Sequence, residues 1–325
     1  MSAHCHNCDT SEACVALLDC PQLMYSSPSV RESHRCNKTK KFCCPILAES
    51  RFDAPQEDAK FPEDCGTTPW YEVDRVVGGT EVQPDEFSWL VSLEYGNIIS
   101  GICGGSIVNA RYVLTAAHCV TGKGIDDLGG LKSVRVGNFT EQLKCDYGTE
   151  GCQQYQRFRI DEVIVHRGYI VNFVERIVND IALVRLKTRI EFTSMLKPIC
   201  LPIGTDRNIP EATSSTPLVV TGWGRTSIRT DNVAKRAVSM PMWTQDRCLQ
   251  DPRRDETLIC TGVAGKGSCH GDSGGPVMYQ FENKRMVLEG IVSYGFKECA
   301  LPSLPGVATR VRSFGSWIER NMRMN

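Results

Sequence analysis

Cysteine is the residue type that most restricts what this chain can fold into. Seventeen of its 325 residues are cysteines, and seven of these lie within residues 1–44. A short segment with little hydrophobic core needs covalent cross-links, and disulfides persist in oxidising compartments. We therefore predict a disulfide-stapled N-terminal module and a secreted, extracellular protein.

The first eight residues, MSAHCHNC, raise two further questions. They lack the charged and apolar regions of a signal peptide, so we expect that the natural leader is missing here or was removed. His4, Cys5, His6 and Cys8 are spaced as in a zinc knuckle, but a dense disulfide setting favours cross-links over a metal site. Because the cysteine count is odd, one cysteine is left over, and Cys5 and Cys8 are the candidates.

The charge balance and the hydropathy pattern argue against two classes of partner. The 37 Lys and Arg residues face 38 Asp and Glu residues, which leaves no basic excess to neutralise the phosphates of a nucleic acid. No stretch approaches the roughly 18 uninterrupted apolar residues that a membrane-spanning helix needs. We expect neither nucleic acid nor a membrane as a partner.

The pattern of hydrophobic runs indicates an all-β fold. From Arg75 onward, short runs such as WLVSLEY, RYVLTAA, IALVRL, PLVVTGW and EGIVSYG recur between Gly, Pro and Asn turns, as in a sandwich or a barrel. The one clear helix signal is SFGSWIERNMR at the C-terminal end. There Ser313 is a candidate cap, and Phe314, Trp317 and Ile318 share one face.

Three segments carry the groups that amide hydrolysis requires. LTAAHC supplies His118, NDIALVRL supplies Asp180 at the head of an apolar strand, and GDSGGP supplies Ser273. Such a reaction needs a nucleophile, a base that takes its proton, and a group that holds the base in the right tautomer. The glycines around Ser273 permit a sharp turn in which the N–H groups of Gly271 and Ser273 converge and stabilise an oxyanion.

In this order and with these neighbours, the segments resemble the S1 (trypsin/chymotrypsin-like) serine endopeptidases from residue 76 to about residue 320. RVVGGTEVQPDEFSWLVSL is similar to the family's activation site and first strand, and CGGSIVNARYVLTAAHC is similar to its histidine block. TGWG resembles the second-barrel core, and GIVSYG resembles the strand that lines the substrate channel. The resemblance implies two antiparallel β-barrels, with the catalytic triad His118, Asp180 and Ser273 in the cleft between them.

The N-terminal region resembles a clip domain, the small disulfide module that precedes arthropod S1 proteases. The resemblance rests on spaced cysteines that end in the adjacent pair Cys43 and Cys44. It implies three bridges, with Cys14 joined to Cys43 or to one of its neighbours, and the individual bonds stay open. We predict a clip-like domain over residues 1–45, a linker and activation segment over 46–75, and the protease domain over 76–325.

The family resemblance also implies five disulfides outside the clip-like domain. A Cys65–Cys200 bridge would tie the segment before the protease domain to that domain, and a Cys145–Cys152 bridge would close a surface loop. The remaining implied pairs are Cys103–Cys119, Cys248–Cys260 and Cys269–Cys299. Together with the clip bridges they use sixteen cysteines, in agreement with one left over.

Activation by proteolysis is predicted at the bond after Arg75, within EVDRVVGG. Cleavage would create a positively charged α-amino group on Val76, followed by an apolar residue that favours burial. The family pattern assigns Asp272 as the partner of this amino group, so that the new ion pair orders Gly271 and completes the oxyanion hole. An unpaired buried carboxylate is costly, which leaves this loop loose before cleavage.

The substrate pocket is predicted to be open and uncharged. The position six residues before Ser273 is an aspartate in trypsin-like members, and here it is Gly267. A buried Arg side chain would meet no counter-ion there, so we expect cleavage after Leu, Phe or Tyr. Glu298, next to Cys299 near the pocket entrance, or another acid could serve a basic side chain instead. The resemblance assigns the pocket to Gly267, Ser268, Ser293, Gly295 and Gly306.

A pocket that rejects Arg implies that another protease, of trypsin-like specificity, cuts the activation bond. We therefore expect a member of an extracellular cascade in innate immunity, acting in melanisation or Toll signalling. Its partners would be a protein substrate, either another zymogen or a cytokine precursor, and a serpin-type inhibitor. Two alternatives are a non-catalytic clip-domain cofactor and a digestive chymotrypsin-like protease.

Cofactors and modifications have weak sequence signals. We predict no cofactor and no metal. A calcium site is not favoured, because Asn138 stands where family members carry an acid, although Asp146 and Glu150 lie nearby. NKT at Asn37 and NFT at Asn138 are glycosylation sequons, as expected in a glycoprotein.

Overall fold

The computed structural model describes most of the chain beyond residue 60 and short stretches before it. The described residues are 12–16, 32, 35–36, 41–45, 61–68, 80–83, 85–96, 102–137, 155–171, 177–193, 196–203, 209–224, 235–250, 255–263, 267–268, 271–281, 284–295 and 304–323. They belong to two compact units, one of which holds the residues up to 45 and the other the residues from 61 onward.

The N-terminal unit contains a two-stranded antiparallel sheet. Strands β1 (Glu12–Ala16) and β2 (Lys41–Pro45) pair so that Cys14 lies opposite Cys43. Cys36 and Cys43 are both disulfide-bonded, and their Sγ atoms are 3.6 Å apart. Because an S–S bond is about 2.05 Å long, each of the two is bonded to another cysteine. The bridge between Cys14 and Cys43 or its neighbours stays a prediction.

The first half of the larger unit is a closed six-stranded antiparallel barrel. The strand order is β11-β6-β5-β4-β7-β8. Its strands are β4 (Leu90–Tyr95), β5 (Gly104–Ile107), β6 (Tyr112–Thr115), β7 (Leu131–Val136), β8 (Gln156–Val165) and β11 (Ala182–Leu186). Val91, Leu93, Leu114 and Leu183 are fully buried members of one hydrophobic core. A separate hairpin of β9 (Ile170–Val171) and β10 (Ile177–Val178) precedes β11.

The second half is a seven-stranded sheet with the order β14-β17-β16-β15-β12-β13-β3. Its strands are β3 (Thr80–Glu81), β12 (Pro217–Gly222), β13 (Arg236–Pro241), β14 (Leu258–Thr261), β15 (Pro276–Phe281), β16 (Arg285–Tyr294) and β17 (Gly306–Arg310). A bridge between Met242, just after β13, and Thr261 of β14 brings the ends of the sheet together. The prediction of an all-β fold with two antiparallel barrels is confirmed.

Helices in the described part are short. They are the α-helices Lys123–Asp127, Gln245–Cys248 and Gly315–Asn321 and the 3-10 helices Ala117–Cys119 and Val311–Phe314. The predicted C-terminal helix is present, with Phe314 and Ile318 buried and Trp317 packed beside them. The predicted cap is wrong, because the preceding 3-10 turn includes Ser313, whose hydroxyl lies 3.5 Å from the Glu256 carbonyl.

A segment that precedes the predicted activation bond is anchored on the second barrel. Cys65 forms a disulfide with Cys200. The Gly66 N–H donates to Pro198 O, and the Gly66 carbonyl accepts from Met286 N, each at 2.8 Å. Gly66 has φ +68°, and a Cβ there would lie 2.2 Å from Met286 O, so only glycine fits. Cleavage after Arg75 would therefore leave this segment covalently attached.

The structure also forms two more of the implied disulfides. Cys103 is bonded to Cys119 in the first barrel, and Cys248 is bonded to Cys260 in the second. Two other implied pairs, Cys145–Cys152 and Cys269–Cys299, involve residues outside the described ranges.

Candidate active site

His118 and Asp180 meet where the two barrels adjoin. His118 lies in the 3-10 turn after β6, and Asp180 lies in the turn before β11. The Asp180 Oδ2 atom is 2.7 Å from His118 Nδ1, and Asp180 Oδ1 accepts the backbone N–H of His118 at 2.9 Å. Two contacts from one carboxylate to ring and backbone fix the orientation of the imidazole.

Two strands of the second barrel complete the surroundings of Asp180. Ser293 of β16 donates its hydroxyl to Oδ2, and Thr309 of β17 donates its hydroxyl to the Asp180 carbonyl at 2.9 Å. Ser293 was predicted as a pocket residue, and its buried side chain is directed at the carboxylate. Thr309 was not identified from the sequence. The available signal was a hydroxyl side chain at an inward position of the buried run GVATRV.

Asp180 is held in its ionised form. Burial raises the pKa of this carboxyl, but the charge of His118 and the hydrogen bonds from His118 and Ser293 outweigh burial and lower the pKa below its usual range. A charged Asp180 favours a proton on His118 Nδ1. The Nε2 atom is then left with the lone pair that a general base needs.

Ser273 lies in a tight turn between glycines. Gly271 has φ +98° and Gly274 has φ +75°. A Cβ on Gly274 would lie 2.3 Å from Thr115 Oγ1 and 2.5 Å from Gly104 O, so a side chain there would collide with the first barrel. Within the described ranges, the N–H groups of Gly271 and Ser273 donate to no protein acceptor. Both are therefore available to an oxygen of a bound molecule.

His118, Gly271 and Ser273 line a common cleft with a volume of about 580 Å³. Among the described atoms, no hydrogen bond joins Ser273 Oγ to His118 Nε2, which lies 3.5 Å from Cys119 Sγ. Contacts between nucleophile and base are often long without substrate and tighten when it binds. The arrangement therefore supplies a candidate nucleophile and a candidate base that line the same open cleft.

The cleft extends from His118 along the short helix Lys123–Asp127. Its lining there includes the apolar side chains of Ile102, Ile125 and Leu128 together with Thr121 and Lys123. At the rim, Lys123 Nζ pairs with an Asp127 carboxylate oxygen at 2.9 Å, and both side chains are exposed. This part of the cleft can hold an apolar side chain next to the reacting groups.

The carboxylate of Asp272, next to Ser273, lies against the TGWG segment. Asp272 Oδ1 accepts the N–H of Gly224 at 2.9 Å. A Cβ on Gly222 or Gly224 would lie 2.1 Å or 2.4 Å from Oδ1, so both glycines are required by the position of this acid. Sequence reasoning assigned TGWG only to the barrel core. Arg75 and Val76, the other predicted activation residues, lie outside the described residues.

The predicted substrate-pocket residues are only partly brought together. A Cβ on Gly306 would lie 2.8 Å from Ser268 Oγ, which places Ser268 beside the first residue of β17. A Cβ on Gly295 would meet no atom within 4 Å. Gly267 is half-buried, and Glu298 lies outside the described ranges. None of the five assigned positions carries a carboxylate.

A group with metal-ligating atoms, Cys103, His118 and Cys119, occurs in the described part of the chain. Its two cysteines form a disulfide, so they have no thiolates to offer a metal. The residues considered for zinc and calcium, His4 to Cys8 and Asn138 to Glu150, lie outside the described ranges. None of the described helices is long and apolar enough to cross a membrane.

Comparison with known proteins identifies relatives along most of the chain. The family model described as Trypsin matches residues 76–318. Melanization protease 1 of Drosophila melanogaster is 33% identical, with 94% of this chain and 84% of that protein covered. Phenoloxidase-activating factor 1 of Holotrichia diomphalia is 34% identical, with 86% and 77% covered. CLIP domain-containing serine protease HP8 of Bombyx mori is 32% identical, with 96% and 91% covered.

Proposed function

Because this chain belongs to the trypsin family, among its clip-domain serine proteases, we propose that it is a secreted zymogen of a serine endopeptidase. It is activated by cleavage after Arg75 and acts in an extracellular cascade of innate immunity. The observation that carries the proposal is the two-point contact of the buried Asp180 with His118, which lines a cleft together with Ser273. The melanisation branch is favoured because two relatives are a melanization protease and a phenoloxidase-activating factor.

The reaction follows from the positions of these groups. Ser273 Oγ attacks the carbonyl carbon of the scissile bond while its proton passes to His118 Nε2. Asp180 stabilises the imidazolium that forms, and the N–H groups of Gly271 and Ser273 bind the oxyanion. His118 then donates the proton to the leaving amine. Water, activated by the same imidazole, hydrolyses the acyl-enzyme and releases Ser273.

Activation acts through Asp272. The α-amino group of Val76, freed by cleavage after Arg75, pairs with this carboxylate and fixes the turn that holds Gly271. The packing of Asp272 against Gly222 and Gly224 supports this step, because the carboxylate is held at a defined position beside Ser273. The N–H of Gly271 is then held in position to bind the oxyanion.

The preferred substrates carry Leu, Phe or Tyr before the scissile bond. Gly267, Gly295 and Gly306 contribute no side chain to the pocket, and Ser268 contributes a neutral hydroxyl. A basic side chain would lose its hydration without gaining a counter-ion. The Arg75 bond is then a poor substrate of the enzyme itself, so an upstream protease of trypsin-like specificity activates it.

Peptide cleavage by activated protein tests the proposal. The chain is cut after Arg75 by an added protease, which is removed, and matched peptides that differ only before the scissile bond are compared. We expect cleavage after Leu, Phe or Tyr and labelling of Ser273 by a fluorophosphonate. The Ser273→Ala variant controls for carried-over protease.

The alternative roles predict other results. Absence of both cleavage and labelling would indicate a non-catalytic cofactor, and rapid, unselective degradation of unfolded proteins would indicate a digestive enzyme. Preference for Arg would contradict the pocket assignment. In that case a Glu298→Gln variant tests whether this acid supplies the missing charge.

A further inference from the structure

We propose that Thr309 is a positioning residue of the catalytic machinery, because its hydroxyl holds the main chain of Asp180 and thereby aligns the Asp180 carboxylate with His118. The inference rests on the proposed function, since its effect is read in turnover. It adds a contact between the second barrel and the backbone of the catalytic acid, whereas Ser293 contacts the carboxylate itself.

Thr309 is itself firmly held. It is fully buried in β17, where it pairs with Ile291 of β16 on one side and Leu258 of β14 on the other. Its Oγ1 atom donates to the Asp180 carbonyl at 2.9 Å. Because the strand is fixed on both edges, this hydroxyl is a rigid donor to the first-barrel segment.

The backbone around Asp180 needs such a contact. Asp180 lies between the ends of β10 and β11, so no strand partner binds its carbonyl. In the part of the chain that the structure describes, Thr309 is the one donor to this oxygen. The preceding Asn179 has φ +52°, a left-handed conformation that asparagine tolerates better than most side chains, and local contacts stabilise it. The Asn179 side chain supplies one by donating to Gly168 O at 2.8 Å.

Loss of the Thr309 hydroxyl would leave a buried carbonyl without a donor and release the peptide between Asp180 and Ile181. The carboxylate contacts to His118, at 2.7 Å and 2.9 Å, depend on direction as well as on distance. A small rotation weakens both. We expect substrate binding to change little, because the buried Thr309 is not among the residues that line the cleft with His118 and Ser273.

The test compares Thr309→Val, which keeps the shape and removes the hydroxyl, with Thr309→Ser, which keeps the hydroxyl. We expect Thr309→Val to lower kcat by about ten-fold or more with KM within about two-fold, as for an interaction that acts in the transition state. The acid limb of the kcat/KM profile should move to lower pH, because a misaligned carboxylate stabilises the imidazolium less. Thr309→Ser should restore both quantities.

The matched control is Tyr279→Phe, which removes another buried hydroxyl of the second barrel, one that donates to the carbonyl of Pro210. It should lower the free energy of unfolding by an amount similar to that of Thr309→Val while leaving kcat and the pH profile unchanged. A Thr309→Val enzyme with unaltered kcat and pH profile would overturn the inference. Equal kinetic changes in both variants would also overturn it, because the role would then be structural only.

A further pair of variants keeps the test decisive if Thr309→Val does not fold. Thr309→Ala is then compared with Thr309→Ser, and a ten-fold gap in kcat supports the inference while equal rates contradict it. The unsubstituted enzyme is assayed first. If it neither cleaves peptides nor reacts with a fluorophosphonate, the proposed function fails, and this result is distinct from a failure of the role of Thr309.

Discussion

Asp180 and Glu289 are both buried carboxylates, with 1% and 0% of their surface exposed, yet their pKa values move in opposite directions. Burial raises the pKa of Glu289, and the hydrogen bond and charge of Arg312 offset this only in part. Burial acts on Asp180 as well, but contacts from His118 and Ser293 reverse its effect and lower the pKa. Burial alone therefore does not decide the charge of an acid in this protein.

The difference lies in the kind of contact each acid receives. Asp180 binds an imidazole, a backbone N–H and a hydroxyl, all directed at its two oxygens. Glu289 meets the guanidinium groups of Arg312 at 3.1 Å and Arg310 at 3.6 Å. Those cations are themselves partly desolvated, and burial lowers the pKa of Arg310. The charge of His118, together with the hydrogen bonds from His118 and Ser293, keeps the site acid charged, whereas the hydrogen bond and charge of Arg312 offset the desolvation of Glu289 only in part.

The largest effect that separates the two acids is expected from Asp180→Asn. The amide cannot stabilise an imidazolium and favours the wrong tautomer of His118, so kcat should fall by about 10⁴-fold. Turnover of activated protein on an apolar peptide measures this. A loss of less than about ten-fold would show that Asp180 does not orient the base.

The Ser293→Ala variant sharpens the comparison, because it removes the hydroxyl group that donates a hydrogen bond to the Asp180 carboxylate. Loss of a hydrogen bond to a charged group should lower the free energy of unfolding by about 1.5–3 kcal/mol at neutral pH. The lowered pKa of Asp180 contributes stability above the usual aspartate pKa of about 3.9, and this contribution is lost as pH falls through the folded-state value. Urea unfolding between pH 2 and pH 7 measures this contribution. As pH falls, the Ser293→Ala variant should lose it at a higher pH than the unsubstituted protein does. An unchanged profile would contradict the role of Ser293.

Lys235 extends the comparison to a buried cation. Burial lowers its pKa to about 8 against the attraction of Glu86 and Asp85, and its ammonium group donates to the Glu86 carbonyl. Stability should rise between about pH 8 and pH 10.4, where the unfolded chain binds a proton that the folded chain does not. Lys235→Met should abolish this rise and stabilise the protein by about 2 kcal/mol at pH 7.

The control for Lys235→Met is Lys132→Met, since Lys132 is exposed. It should leave the unfolding free energy at pH 7 nearly unchanged. If both lysine variants behave alike, burial of Lys235 does not cost stability.

Glu289→Gln is expected to have the smallest effect. Because the pKa of Glu289 is raised in the folded protein, its ionisation costs stability. Stability therefore falls as pH rises from the usual glutamate pKa of about 4.3 through the folded-state pKa. The Asp180 carboxyl has the opposite effect, since its contribution to stability grows as pH rises. The variant should flatten this dependence, change the unfolding free energy at pH 7 by about 1 kcal/mol, and keep kcat. Urea unfolding at several pH values measures the stability, and peptide turnover measures kcat. A ten-fold loss of kcat would show that Glu289, like Asp180, supports catalysis.

Local motifs were sufficient to identify the candidate catalytic groups. His118, Asp180 and Ser273 stand in short segments whose neighbours show their chemistry, and the glycines around Ser273 indicate the turn. The supports of Asp180 could not be predicted in the same way. Ser293 and Thr309 lie 113 and 129 residues away from it, and only the packing of two barrels decides which hydroxyl faces the acid.

Short hydrophobic runs, cysteine spacing and glycine-rich turns are local properties of the chain, so they indicated the strands, the cysteine-rich start and the candidate catalytic groups, and the family resemblance implied the two barrels. Tertiary structure alone decided that Ser293 faces Asp180, that Asp272 lies against Gly222 and Gly224, and that Ser313 does not cap its helix. Those outcomes depend on distances between segments far apart in the chain. Such distances are fixed by how strands pair and barrels pack, and no local pattern encodes them.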